Sequence, residues 1–234
     1  MSGGELLFAA ARGEAARTRK GEETRARILE TALALFAERG YEGTTMRAIA
    51  ESARLSLGST YYYYRSKEHL IQGFYARSHD EHLAACEEVL ATNAPLGERL
   101  SSVLEIRLRT LAPYHAFAAV LFRTAADPES PLNPWSAESR PVRAASIDLF
   151  ARVVDGSSTR VPPSLRTALP ELLWVYHMGI ILFWVHDRSP GCERSHRLAQ
   201  RTTELVARLV GLAGLPPLRP LVRATVGLLD ELRT

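Results

Sequence analysis

The residues Leu57-Gly58-Ser59 and Tyr61 give one side of a short segment opening at Ser56 a small or polar surface. A helix so lined can bring its backbone close to the edges of base pairs in a DNA groove. Tyrosine hydroxyls and helix N-termini suit phosphate oxygens. Thr60 and Tyr64, at i and i+4, would hold the other side against the protein. Between Met46 and Lys67 the basic residues Arg47, Arg54, Arg65 and Lys67 are opposed only by Glu51. Lys67 falls in the first turn of the following helix, where the helix dipole disfavours a cation, and a DNA phosphate held there would remove the conflict.

The elements that must position these residues follow from periodicity. From Glu22 to Gly40 the apolar residues Ile28, Leu29, Ala32, Leu33, Leu35 and Phe36 recur at helical spacing, with Arg25, Arg27, Glu30 and Glu38 between them. Gly40 is a helix stop. Thr44 or Thr45 can cap a short helix over 46–53 with Met46, Ile49 and Ala50 inward. After a tight break at Arg54-Leu55, Ser56 can cap a third helix through Tyr64, and Ser66 a longer fourth carrying Leu70, Ile71 and Phe74 inward. Two short helices joined by about three residues and propped on a longer one form a helix-turn-helix pattern. On spacing alone, an ordinary three-helix core fits these residues as well.

Bulk properties neither add to nor oppose this reading. The chain has 234 residues, 46% hydrophobic and 24% charged, which supports a sizeable core and excludes disordered and collagen-like classes. A net charge of +3 names no partner, so a nucleic-acid signal has to be local. Cys86 and Cys192 are too few for a disulfide framework and point to a reducing compartment. No export segment is convincing, and the apolar run Leu172–Val185 is shorter than the ~20 residues of a spanning helix. A cytoplasmic protein with no membrane partner is expected. All 13 prolines lie at or after Pro95, where they mark breaks between helices, and strand patterns are nearly absent. The expected fold class is all-α. No nucleophile–base pair, phosphate loop or HExxH-type motif argues for an enzyme, and none argues for a cofactor.

The stretch Thr24-Arg25-Ala26-Arg27-Ile28-Leu29-Glu30-Thr31-Ala32, then Leu35-Phe36-Ala37-Glu38-Arg39-Gly40-Tyr41-Glu42-Gly43-Thr44-Thr45, resembles the N-terminal domain of the tetracycline-repressor (TetR) family. Ile49-Ala50, Ser56, Gly58, Tyr61, Tyr63 and Ser66-Lys67-Glu68 continue the likeness without gaps, over about residues 20 to 75. The resemblance implies an arm over 1–20, a three-helix helix-turn-helix DNA-binding domain over 21–70, and a larger helical dimerisation and ligand domain over 71–234. It implies that Arg47 reaches a base edge and Thr45 a phosphate. Ser56 would open the recognition helix as a further DNA-binding residue, Leu57, Gly58 and Ser59 would read bases, and Tyr61, Tyr63 and Lys67 would grip phosphates. Three residues depart from the family pattern. Arg54 stands where the turn usually has glycine, Leu57 where a polar or basic residue is common, and Arg65 where proline is usual. Leu57 cannot hydrogen-bond, but it can pack on a thymine methyl.

In the remainder, Leu172–His186 is apolar all round and must be covered on two sides. The following helix, about 192–212, shows Leu198, Leu205, Leu209 and Leu212 on one stripe. These helices, around 170–188 and 192–212, are the expected homodimer face, and a dimer suits a palindromic double-stranded operator with half-sites about 34 Å apart or a multiple of that. The family likeness further implies a cavity for an unknown small-molecule effector, for which Tyr114, His115, Phe122, Phe150, Trp174, His177 and Met178 are candidate lining, although aromatic residues on helices more often serve core packing. His186, Asp187, Cys192 and His196 lack a recognised metal-site spacing, and no metal is expected. The functional expectation is a homodimeric repressor released from its operator by an effector; the alternative is a DNA-binding or architectural factor without one.

Overall fold

The computed structural model describes residues 3–232, all of whose regular elements are helical, with no strand among the described residues. The chain divides into two compact units, residues 1–74 and 75–234, and the division falls inside one unbroken helix.

The first unit comprises α1 (Gly3–Arg39), α2 (Met46–Ser52), α3 (Leu57–Tyr63) and the start of α4 (Lys67–Leu90). The segment expected as an arm is, from Gly3 on, the opening of α1; residues 1 and 2 and the side chains of Arg12 and Arg17 lie outside the described residues. Ile28, Leu29, Ala32, Leu33, Leu35 and Phe36 are all buried, as their spacing requires. α1 stops where Gly40 takes φ +77° and returns its N–H to the Phe36 carbonyl at 3.0 Å. Of the two threonines that follow, Thr44 is buried and donates to the Leu35 and Gly40 carbonyls, and Thr45 caps α2 by accepting from the Ala48 N–H at 3.1 Å.

The second unit holds the rest of α4 with α5 (Leu96–Leu111), α6 (His115–Ala125), α7 (Arg140–Asp155), α8 (Pro163–Arg166), α9 (Leu169–His186), α10 (Glu193–Leu212) and α11 (Arg219–Leu232). α9 is long and apolar enough to cross a membrane, but Leu173, Trp174, His177, Ile180 and Trp184 are buried within the unit, as in the core helix of a globular fold. α10 turns a small-residue face inward through Ser195, Ala199 and Thr203, which lets it lie close on α5; a Cβ on Gly97 would stand 3.1 Å from that of Ala207.

Two polar knots fix this unit. The buried Arg99 donates to the carbonyls of Val89, Leu90 and Thr92 at the end of α4 and to those of Arg152 and Val153 in α7. It thereby satisfies carbonyls that a helix end leaves without a partner. The buried Asp187 accepts from the N–H and hydroxyl of both Ser189 and Ser195, joining α9 to α10. Burial alone would raise its pKa, but these four hydrogen bonds outweigh it and hold the carboxyl below the usual range.

Candidate functional site

In the first unit α2 and α3 meet through a turn that the sequence makes costly. Arg54 adopts φ +55°, with its N–H on the Glu51 carbonyl (3.1 Å) and the Leu55 N–H on the Ala50 carbonyl (2.9 Å). This is a Schellman closure, whose left-handed residue is normally glycine. The departure noted at Arg54 is therefore a real backbone strain. Ser56 caps α3 by accepting from the Ser59 N–H at 3.1 Å.

α3 divides its faces as expected: Thr60 and Tyr64 are buried, and Ser56, Gly58 and Tyr61 are exposed, with Leu57, Ser59 and Tyr63 half-buried. A Cβ on Gly58 would meet nothing within 4 Å, so the backbone there is open to close approach. Thr45 and Arg47 are exposed at the start of α2. Tyr62, not singled out in the sequence, is 83% exposed and packs edge-on against Tyr63; nothing in the spacing distinguishes it from its neighbours.

Lys67 has an internal partner. Its Nζ donates to the Tyr41 carbonyl at 2.8 Å and lies 4.2 Å from the Tyr41 ring centroid. Tyr41 in turn donates to Glu68 at 2.5 Å. Burial of Glu68 would raise its pKa, but hydrogen bonds from Ser66 and Tyr41, aided by the Lys67 charge, bring it below the ordinary value. The conflict with the helix dipole is thus answered in part within the protein, by the loop between α1 and α2.

In the second unit Phe150, Trp174 and His177 are buried, and Tyr114, His115, Phe122 and Met178 are half-buried. Phe150 and His177 lie side by side at 5.5 Å. Other candidates have different neighbours: Trp174 meets Trp135, His115 binds the Trp184 carbonyl, Phe122 meets His186, and Tyr114 accepts from Arg77. The four residues checked for a metal are engaged elsewhere. Asp187 holds the two serines, His196 contacts Glu105 at 2.7 Å, His186 contacts the Leu182 carbonyl, and Cys192 lies 4.0 Å from the Asp187 carbonyl. An open cleft of about 570 Å³ between α5 and α10 is lined by polar residues, among them Ser101, Glu105 and His196. Polar residues that no sequence motif singles out, His79, His82 and Arg107, gather round His177. Their signal was present in part: Arg107 stands in the apolar stripe of Val103, Leu104, Leu108 and Leu111.

Comparison with known proteins bears on both units. Residues 28–73 match the profile described as bacterial regulatory proteins, tetR family; residues 99–228, more than half the chain, match that of the tetracyclin repressor-like C-terminal domain. The chain belongs to the TetR family. The first profile is one of bacterial regulatory proteins, and relatives of the chain carry the names of transcriptional repressors. The chain is similar to the HTH-type transcriptional repressor KstR2 of Mycobacterium tuberculosis, at 33% identity over 99 residues, 42% of this chain and 47% of that protein. The match therefore spans about half the length of that relative. The HTH-type transcriptional repressor KstR of Rhodococcus jostii is 28% identical over 185 residues, 79% of this chain and 83% of its own. In fold alone the chain is like the transcriptional regulator FadR of Bacillus subtilis, crystallised with stearoyl-CoA, with TM-score 0.62, 17% identity, and coverage of 78% of this chain and 97% of that one.

Proposed function

We propose that this TetR-family chain is a homodimeric, cytoplasmic repressor that reads a palindromic operator with α3 and leaves it when a small molecule occupies the second unit. The observation that carries the DNA half is the division of α3, with Thr60 and Tyr64 anchoring it and Gly58 and Tyr61 facing outward. In this reading α3 enters the major groove with Leu57, Gly58 and Ser59 against base edges and Ser56 at its N-terminus. Arg47 reaches a base, and Thr45, Tyr61, Tyr63 and Lys67 contact phosphates. Lys67 can do so while keeping Tyr41, because an ammonium has three donors. Repression follows the names of the relatives KstR2 and KstR.

The dimer is supported by apolar surface on the second unit. Val175, Leu182 and Phe183 of α9 and Leu205, Leu209 and Leu212 of α10 are between 42% and 57% exposed. Side chains of this size left bare on two adjoining helices form the kind of patch that a partner covers. A two-fold axis through these helices would make a four-helix bundle and pair the two reading helices.

Selection of bound sequences from random duplex DNA by the purified protein tests this reading. Enrichment of an inverted repeat is expected; no enrichment at low ionic strength would overturn it. The selected site then serves to screen for release, with stearoyl-CoA, the ligand of FadR, as the first compound.

A further inference from the structure

Helices α4, α5, α7 and α9 contribute to a third buried polar cluster of the second unit. The imidazole of His177 is 5% exposed, stacks on His82 at 6.4 Å and leans on Phe150 at 5.5 Å. Neither of its ring nitrogens has a hydrogen-bond partner. His82 donates from Nε2 to the Val103 carbonyl at 2.9 Å, which leaves its Nδ1 an acceptor. Arg107 places one terminal nitrogen on the Ser78 carbonyl (2.8 Å) and hydroxyl (3.0 Å) and leaves its Nε without a partner. Glu81, whose charge reaches Arg107, is instead paired with Arg77 at 3.5 Å.

The balance of this cluster is one-sided. It holds a guanidinium with no carboxylate in ion-pair contact and a histidine with an unused donor, both in a region that would ordinarily be dry. Buried polar atoms of this kind are costly unless something supplies their partners. Burial and the Arg107 charge together push His82 down to about 3 and His177 well below its ordinary value. His82 and His177 are therefore neutral near pH 7, which leaves Arg107 as the positive charge beside them. A cationic guest would meet Arg107 unfavourably, and a neutral one would leave the guanidinium unmatched. An acidic oxygen fits both the charge and the donors.

We infer that the cluster is the seat of an acidic small molecule, whose carboxylate takes the Arg107 Nε–H and the His177 N–H while its apolar body lies against Phe150. This rests on the second unit's being the effector domain and names the class of effector. Because His177 is closed off, the guest enters only as the side chains around it part. Binding then favours one arrangement of these helices over another, and it shifts the balance by the difference in affinity between the two.

The test uses the full chain with ¹⁵N-labelled histidine. Octanoate, benzoate and phenylacetate are titrated beside octanamide, benzamide and phenylacetamide. Saturable shifts of the His177 and His82 ring nitrogens are expected with at least one acid, with the matching amide weaker by about tenfold or more. Arg107→Gln should abolish that preference and retain operator binding. His177→Phe, which keeps an apolar filling and so guards against failure to fold, should weaken the acids likewise. Equal binding of acids and amides, indifference to both substitutions, or no histidine response to any acid would overturn the site; the last result would assign the cluster to buried water only. Operator binding is measured in parallel. Acid binding without release upholds the site and overturns release by this ligand class, whereas release by a compound that spares His177 and Arg107 keeps the effector reading and overturns this assignment.

Discussion

Arg54 shows how a residue can carry a structural cost within a candidate interface. Its φ of +55° belongs to the left-handed region, which disfavours side chains by roughly 1–2 kcal/mol. Arg54→Gly should raise the stability of the first unit by about 1 kcal/mol, after the greater freedom of unfolded glycine is subtracted. Urea denaturation followed by circular dichroism checks this, and an unchanged or lowered midpoint would show that the guanidinium makes up the difference. Arg47 offers a cleaner functional test, since it is exposed on α2. Arg47→Ala should cost about 1–3 kcal/mol at one base position of the selected operator. A uniform loss over all site variants would move Arg47 to the sugar-phosphate backbone. Much at this scale was legible in the sequence. The cap at Ser56, a cap at Thr44 or Thr45 and the stop at Gly40 depend on local chemistry that a short string of residues contains; the choice of Thr45 does not, because it turns on the burial of Thr44. Arg107 was legible only as a charge within an apolar stripe, and His82 not at all, because their meaning depends on His177, distant in sequence on α9.

At the scale of helices, Arg99 and Gly156 act as one feature. A Cβ on Gly156 would stand 2.5 Å from an Arg99 terminal nitrogen. The end of an arginine ordinarily yields, but this one is tied to carbonyls of two helices. Gly156→Ala should therefore destabilise the second unit by about 2 kcal/mol, read from its denaturation midpoint. The helix boundaries themselves were largely visible from caps, prolines and periodicity. The pairing of α5 with α10 was not, because it is the small residues Ser195, Ala199 and Thr203 that allow it, and the eye is drawn instead to the leucines on the opposite side. Three of the six histidines of the second unit couple its helices to pH. Burial and the Arg107 charge lower His79, His82 and His177, so the unfolded chain binds protons that the folded chain refuses. Stability is complete above the unfolded value of about 6.5 and falls as pH drops below it, by up to about 1.4 kcal/mol per pH unit for each histidine. Asp187, lowered in the fold, adds a further loss below about pH 4. Denaturation at pH 7 and pH 5 should show the histidine effect, and His177→Phe should make it shallower while the shares of His79 and His82 remain.

For the whole molecule the decisive surface is the exposed apolar stripe of α9 and α10. Leu209 is 57% exposed there, so Leu209→Arg should leave the fold of each unit intact and drive the protein to monomers in sedimentation. Operator affinity should fall on the order of a hundredfold as the two reading helices lose their linkage. A variant that remains dimeric would place the partner face elsewhere. That stripe also bears on gene dosage. With pairing as proposed, a scarce chain is mostly single, and the competent species grows as the square of its abundance. A modest rise in synthesis would then silence a promoter abruptly, so the bare leucines lend the switch a sharpness that a lone reading head does not possess.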